Sequence, residues 1–318
     1  MTKQLILAAL LALVFSVGAF AADRGPDVPD YAADRVADGV YVIHGPLGEP
    51  SVKNQGFMNN PAFIVTDSGV VVVDPGSSVQ TAEMVLRQIR KVTRLPVVGV
   101  LNTHIHGDHW LGNQAIYAAY PNVPIYGHPR MFEKIEQGEG QAWIDLLLRL
   151  TDQATGGTHI VGPNLQVGHG DEIELAGLKM RFLYLPKAHS DSDLMIEIPE
   201  KELIFLGDNA MANRFGQMRH GTFKGNIAAL DLALERDATV YVPGHGPTGD
   251  RRVAETYRRY LSILRAEVAK QLDEGLSDFE MKPIVVEALG EFKDWVDFEQ
   301  LVGKHIGQAY LEVEQELF

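Results

Sequence analysis

No cysteine occurs among the 318 residues. Its absence excludes disulfides, thiolate metal sites, cysteine nucleophiles and iron–sulfur clusters. Basic residues are few: 28 Lys and Arg stand against 42 Asp and Glu, a formal net charge of −14. A phosphate backbone needs a basic face, so nucleic acid is not an expected partner. The 16 Pro and 31 Gly follow no short period, which excludes collagen and low-complexity chains. What remains is an ordinary globular composition, 46% hydrophobic and 22% charged. Its length allows one large domain or two small ones, with a core big enough to enclose a cleft.

Lys3 is the only charge before Asp23, and the run between them is apolar and ends in small residues. Ala19-Phe20-Ala21 fits an A-x-A cleavage site, so residues 1–21 read as a signal peptide cut after Ala21 or Ala22. A membrane anchor needs ~20 apolar residues and a flanking charge cluster. Here Asp23 follows directly, so no stable anchor is expected, and without Cys there is no lipidated N-terminus. The expected location is the periplasm or the exterior.

Beyond the leader, residues 39–44, 61–66, 68–76, 97–104 and 123–128 read as strands, with helices at 79–92 and 110–120. Residues 130–153 read as helix broken at Gly138 and Gly140. A meander of short strands follows between 165 and 206, then a helix at 225–235 and a strand at 239–242. The order predicts a layered α/β domain over 22–250. From 251 to 318 the chain reads as a helical extension. Val253, Tyr257, Tyr260, Leu261, Leu264, Val268 and Leu272 share one apolar face, and a second helical stretch covers 284–317. These faces must be covered, chiefly by the main domain with Trp295 and Phe298 buried, and the remaining face is available to a second copy in a homodimer.

Residues 102–113 read NTHIHGDHWLGN, so His104, His106, Asp108 and His109 form H-x-H-x-D-H. Two histidines spaced by two at a strand end point to the same side. Gly107 permits a sharp turn that brings Asp108 and His109 back toward them. Four ligands within six residues can serve two adjacent metal ions. A surface histidine cluster would be flanked by polar loop, whereas here a buried strand precedes and Trp110-Leu111 follow. Downstream, His189 follows RFLYLP, Asp208 follows ELIFLG, and His245 follows TVYVP. Each stands within three residues of the end of an apolar run, where α/β folds place function.

H-x-H-x-D-H at 104–109, His189, Asp208 in LGD, His245 in GHG and Asp74 in VVVDPG together resemble the ordered motifs of the metallo-β-lactamase superfamily. The resemblance spans about residues 35–250. It implies an αββα sandwich with a dinuclear centre at one edge of the sheets. His104, His106 and His189 would bind one metal, Asp108, His109 and His245 the other, and Asp208 would bridge both, with Asp74 hydrogen-bonding behind the ligands. Imidazole and carboxylate without sulfur suit zinc, two ions per chain. The lack of Cys near position 208 argues against the best-known antibiotic-hydrolysing subclass, and His106 against the flavo-diiron relatives, which carry Glu there. The leader, AHSDSD at 188–193 and the ending AYLEVEQELF look like exported zinc metallohydrolases of quinoprotein relay systems and sulfur-oxidation gene clusters.

The resemblance implies metal-activated hydroxide, oriented by Asp108 and Asp208, attacking an ester, thioester or lactam carbonyl of a small molecule. Two alternatives stay open: a mononuclear iron persulfide dioxygenase, and a non-catalytic metal-binding partner of a periplasmic redox system. Residues 45–60 and 130–160, with Trp143, Ile144 and Leu147, are expected to wall the site. The segment 209–224 supplies Arg214, Arg219, His220 and Lys224 as substrate contacts, His220 foremost. His44, His128, His159, His169 and His305 belong to no motif and are read as structural or surface groups.

Overall fold

The computed structural model describes residues 23–316; the signal peptide read at 1–21 lies outside them. Two twisted sheets face each other. The first runs β1 (Asp34–Ala37), β2 (Val40–Val42), β3 (Ala62–Thr66), β4 (Gly69–Val73), β5 (Val97–Leu101), β6 (Ile125–Gly127) and β7 (Leu165–Gln166) in that spatial order. Its pairs are antiparallel up to β4 and parallel from there on. The second contains β8 (Glu172–Leu175), β9 (Leu178–Tyr184), β10 (Leu194–Ile198), β11 (Leu203–Met211) and β12 (Val240–His245), antiparallel except for the parallel pair of β11 and β12.

The β-branched run of β4 is buried on both faces, which is why it does not alternate with polar residues. Val71 and Val73 join Ile64, Phe182, Ile196 and Phe205 between the sheets. Val70 and Val72 pack outward with Val85 and Ile89 of α1 (Val79–Val92), which Ser78 caps by accepting the Thr81 N–H. α2 (Gly107–Trp110) and α3 (Asn113–Ala119) follow β5, so the helix expected over 110–120 is two short pieces. α4 (Pro129–Glu136) and α5 (Glu139–Leu150) lie beside them, broken at Gly138 as expected, whereas Gly140 lies within α5 and does not break it. The two sheets and their helical covers make the expected α/β sandwich, helices outside and sheets within, with C-terminal helices added.

The outer face of the second sheet carries α6 (Phe223–Leu234), and against it the extension: α7 (Arg252–Asp273), α8 (Asp278–Ala288) and α9 (Phe298–Gln315). The stretch 284–317 is therefore two helices separated by a turn, the first starting before Pro283 behind a Ser277–Glu280 capping box. Tyr257, Tyr260, Leu261, Val285, Phe298, Val302 and Ile306 share one apolar cluster with Met195, Ile204 and Leu206 of the sheet. Phe298 is buried, but Trp295 is only half-buried, its ring edge-on to Phe292 at 4.9 Å and lining a surface hollow. No helix among the described residues is long and apolar enough to cross a membrane.

His305 of α9 is fully enclosed. The Tyr260 hydroxyl donates to its Nδ1, and its Nε2–H donates to Gly216 O at 2.7 Å. Burial pushes its imidazolium down to about 4. The unfolded chain therefore binds this proton first, near the ordinary value of about 6.5, and stability is lost as pH falls from there toward 4. This single group should remove about 3 kcal/mol over that range, and denaturant titrations at pH 7 and pH 4.5 should show a shallower decline in His305→Gln than in wild type. Phe298→Ala should cost ~3–5 kcal/mol at any pH, read from the shift in denaturation midpoint.

Candidate metal centre

β5 ends at Leu101, so His104 and His106 sit in the loop beyond the strand rather than on it, with His106 at the N-cap of α2. The result is still convergence. His104, His106, His189 and Asp208 place ligand atoms within 4.8 Å of one another, as do Asp108, His109 and His245. All seven side chains are buried. Asp208 stands inside β11, which runs to Met211, five residues past the strand end expected at 206, and His245 is the last residue of β12. The parallel pairing of these two strands carries both ligands to the same sheet edge.

Asp208 faces both groups. Its Oδ1 lies 3.1 Å from His109 Nε2 and 3.3 Å from His245 Nε2, and its Oδ2 lies 3.4 Å from His189 Nε2 and 3.9 Å from His104 Nε2. Asp108 Oδ2 lies 3.3 Å from His245 Nε2 and 3.5 Å from His109 Nε2. This crowding needs Gly244, since a Cβ there would meet Asp208 Oδ1 at 1.9 Å.

The outward ring nitrogens are tied down. Asp74, in the left-handed region at φ 48°, accepts from His109 Nδ1–H at 2.8 Å, from the Thr103 N–H at 2.8 Å and from the Thr103 hydroxyl at 2.6 Å. Thr103 Oγ1 in turn accepts from His104 Nδ1–H at 3.0 Å. His245 Nδ1–H donates to Met58 O at 2.7 Å. That contact fixes the tautomer, so Arg214 Nη1 at 3.2 Å from the same nitrogen is a contact between two donors. Only His189 Nδ1 has no partner among the described residues.

The electrostatics follow from burial and proximity. Burial works against charge at Asp108, but His109 and His245 outweigh it and hold the carboxyl down to about 2. Asp208 goes further down for the same reasons. Burial also opposes charge on His109, but Asp208, Asp108 and Asp74 overcome it and raise its imidazolium well above the ordinary value. His245 rises likewise, chiefly through Asp208. His104 and His106 are driven well below the ordinary value, first by burial and then by neighbouring histidines. Inward-facing His104 Nε2, His109 Nε2 and Asp208 Oδ1 are buried and make no hydrogen bond. Five imidazoles and two carboxylates that converge inward, most of them backed by hydrogen bonds, fit divalent cations. A cation between them must displace the protons on His109 and His245, so acid opposes loading.

A cleft of about 100 Å³ opens onto the centre. Glu49, Pro50 and Met58 of loop 45–60 form one wall, and Trp143, Leu146 and Leu150 of α5 the other. Ile144 and Leu147, expected in that wall, are instead buried behind it with Trp110 and Met131. The basic candidates separate. Arg214 is buried in the cleft floor, 3.7 Å from Asp297 and 3.9 Å from Glu49. Arg219 and His220 are exposed at the rim, and Lys224 turns away to Glu316. Three contributors had no ligand-like signal in the sequence: Met58 through its carbonyl, Ser192 through its bond to the Ile105 N–H at 3.0 Å, and Asn60, whose side chain donates to Pro243 O and Gly246 O. Only Thr103, adjoining His104, could have been suspected.

The family model of the metallo-beta-lactamase superfamily matches residues 55–245. The chain belongs to this superfamily. A linear primary-alkylsulfatase of a Pseudomonas species is 22% identical over 257 residues, 69% of this chain and 48% of that protein. A hydroxyacylglutathione hydrolase of a Synechococcus species is 26% identical over 160 residues, 50% of this chain and 51% of that protein. The chain thus spans about half the length of these curated relatives. The sec-alkylsulfatase Pisa1 of a Pseudomonas species superposes with a TM-score of 0.70 at 17% identity, covering 89% of this chain and 50% of that one. The metallo-beta-lactamase from Pontibacter korlensis gives 0.55 at 19% identity, over 72% and 98%. At these identities the structural likeness shows the fold, and the superfamily members compared are hydrolases by name.

Since Asp208 alone faces both ligand groups, Asp208→Ala should lower metal content at both positions, whereas His189→Ala should empty one. Elemental analysis of the two purified variants, with circular dichroism as a fold control, distinguishes these outcomes. Full metal content in Asp208→Ala would remove Asp208 from the centre.

Proposed function

We propose that the chain is an exported dinuclear zinc hydrolase that cleaves the ester or thioester carbonyl of a small substrate. The observation that carries this is the Asp208 carboxylate with one oxygen toward each ligand group. Zinc held by His104, His106 and His189 on one side, by Asp108, His109 and His245 on the other, and by Asp208 between them would supply Lewis acidity and hydroxide at neutral pH. No serine or cysteine nucleophile is required. Asp108 and Asp208 would orient the attacking water, by coordination or by hydrogen bonding. The hydrogen bonds that Asp74, Thr103 Oγ1 and Met58 O accept from the rings fix the tautomers, so the reacting geometry needs little reorganisation. Trp143, Leu146 and Leu150 keep bulk water off one side.

The cleft is small beside the ~300–1,000 Å³ of sites that enclose a drug-sized ligand. Only the reacting end of a substrate fits at the centre, and the remainder lies outward along α5. There Ala142, Trp143 and Leu146 continue the apolar wall as far as Arg219. The apolar path also favours a second reading, hydrolysis of a sulfate ester whose alkyl chain would lie along it, consonant with the names of two relatives. Export rests on the N-terminal run alone, and the finer likeness to quinoprotein relay hydrolases on AHSDSD and the final helix. Part of AHSDSD has a local task, since Asp193 accepts from the Ser190 hydroxyl at 2.6 Å and so shapes the turn behind His189.

The purified chain should contain about two zinc ions and hydrolyse at least one of an aryl acetate, an acyl thioester, a lactam or dodecyl sulfate, with chelation abolishing turnover. One iron and no zinc, together with oxygen uptake on a glutathione persulfide, would replace the hydrolase by the dioxygenase. Two zinc ions with no turnover on any of the panel would favour the non-catalytic partner.

A further inference from the structure

His106 differs from the other ligands in what stands behind it. Its Nδ1 lies 2.9 Å from His189 Nε2, on the inside of the centre, which turns its Nε2 outward. That nitrogen lies 2.9 Å from Nδ1 of His220, with the rings 5.1 Å apart. Behind His104, His109 and His245 stand a threonine hydroxyl, a carboxylate and a backbone carbonyl. Behind His106 stands another imidazole, on the exposed loop that follows β11. With Nδ1 of His106 facing inward as a lone pair, its Nε2 carries the proton and donates it to His220 Nδ1. His220 then bears its own proton on Nε2.

His220 is not left to swing. A Cβ on Gly221 would meet Ala188 O at 1.9 Å, so at that point the loop lies directly on the backbone preceding His189. Thr222 fastens it, its N–H donating to Lys187 O at 3.0 Å and Ala188 O at 2.9 Å and its hydroxyl to Lys187 O at 2.7 Å, before it caps α6. The His106 ring also meets Trp143, at 5.2 Å between centroids.

We propose that His220, rather than contacting substrate, is a positioning residue that fixes the tautomer and orientation of His106 and thereby sets the affinity of the ligand group His104, His106 and His189 without affecting the other. The proposal rests on reading the centre as a dinuclear metal site. Loss of a hydrogen-bond partner behind a ligating histidine weakens metal binding roughly 10–100-fold. Competition of the zinc-loaded protein with a chromophoric chelator should resolve two phases, one of which His189→Ala removes. His220→Ala should weaken that phase by roughly 10–100-fold and leave the other in place. His220→Asn, whose Oδ1 can occupy the position of Nδ1, should restore it to within a few-fold. In the cobalt-substituted protein the visible absorption bands should shift in His220→Ala and return in His220→Asn. Equal weakening of both phases, unchanged affinity and spectrum in His220→Ala, or failure of His220→Asn to rescue would each overturn the positioning role while leaving the dinuclear centre standing. A wild-type protein that takes up no zinc would overturn both.

Discussion

The structure is organised around one buried carboxylate, Asp208, enclosed by imidazoles. Asp208 sits among five imidazoles with one oxygen free of hydrogen bonds. A charge so enclosed is tolerated only where cations surround it. Without metal, protons on His109 and His245 meet that need. With metal, the ions do. Each neighbouring element is shaped by this demand: Gly244 yields the space, Asp74 and Thr103 orient the rings, and the parallel pairing of β11 and β12 brings Asp208 and His245 to one edge.

The same demand explains the sharing of work between the sheets. The first delivers the 104–109 loop from β5, and the second delivers His189, Asp208 and His245. Neither half holds a complete ligand group by itself. The buried Asn60 side chain, donating to carbonyls on both sides of His245, ties the halves together.

The ligands were legible in the sequence because they are titratable residues placed directly after apolar strands, and such placement has few structural explanations. The sandwich was legible because β4 and its counterparts are too apolar for a one-sided sheet. The walls were not. Trp143 and Ile144 are adjacent and similar in character, yet one faces the cleft and the other the interior, which depends on the rotation of α5 about its axis. Met58 contributes a carbonyl, which every residue possesses, so its identity carried no signal. β11 runs on to Met211 past Gly207 because its pairing with β12 continues there with register shifts, a feature set by the partner strand. Arg214 read as a loop cation because its acidic neighbour Asp297 lies far along the chain.

The contact between His305 and the carbonyl of Gly216 joins stretches of chain 89 residues apart. The loop that carries His220 leaves β11, yet one of the groups that hold it belongs to α9. The extension is therefore a latch as well as a cover, since it grips the backbone from which one rim of the cleft is built.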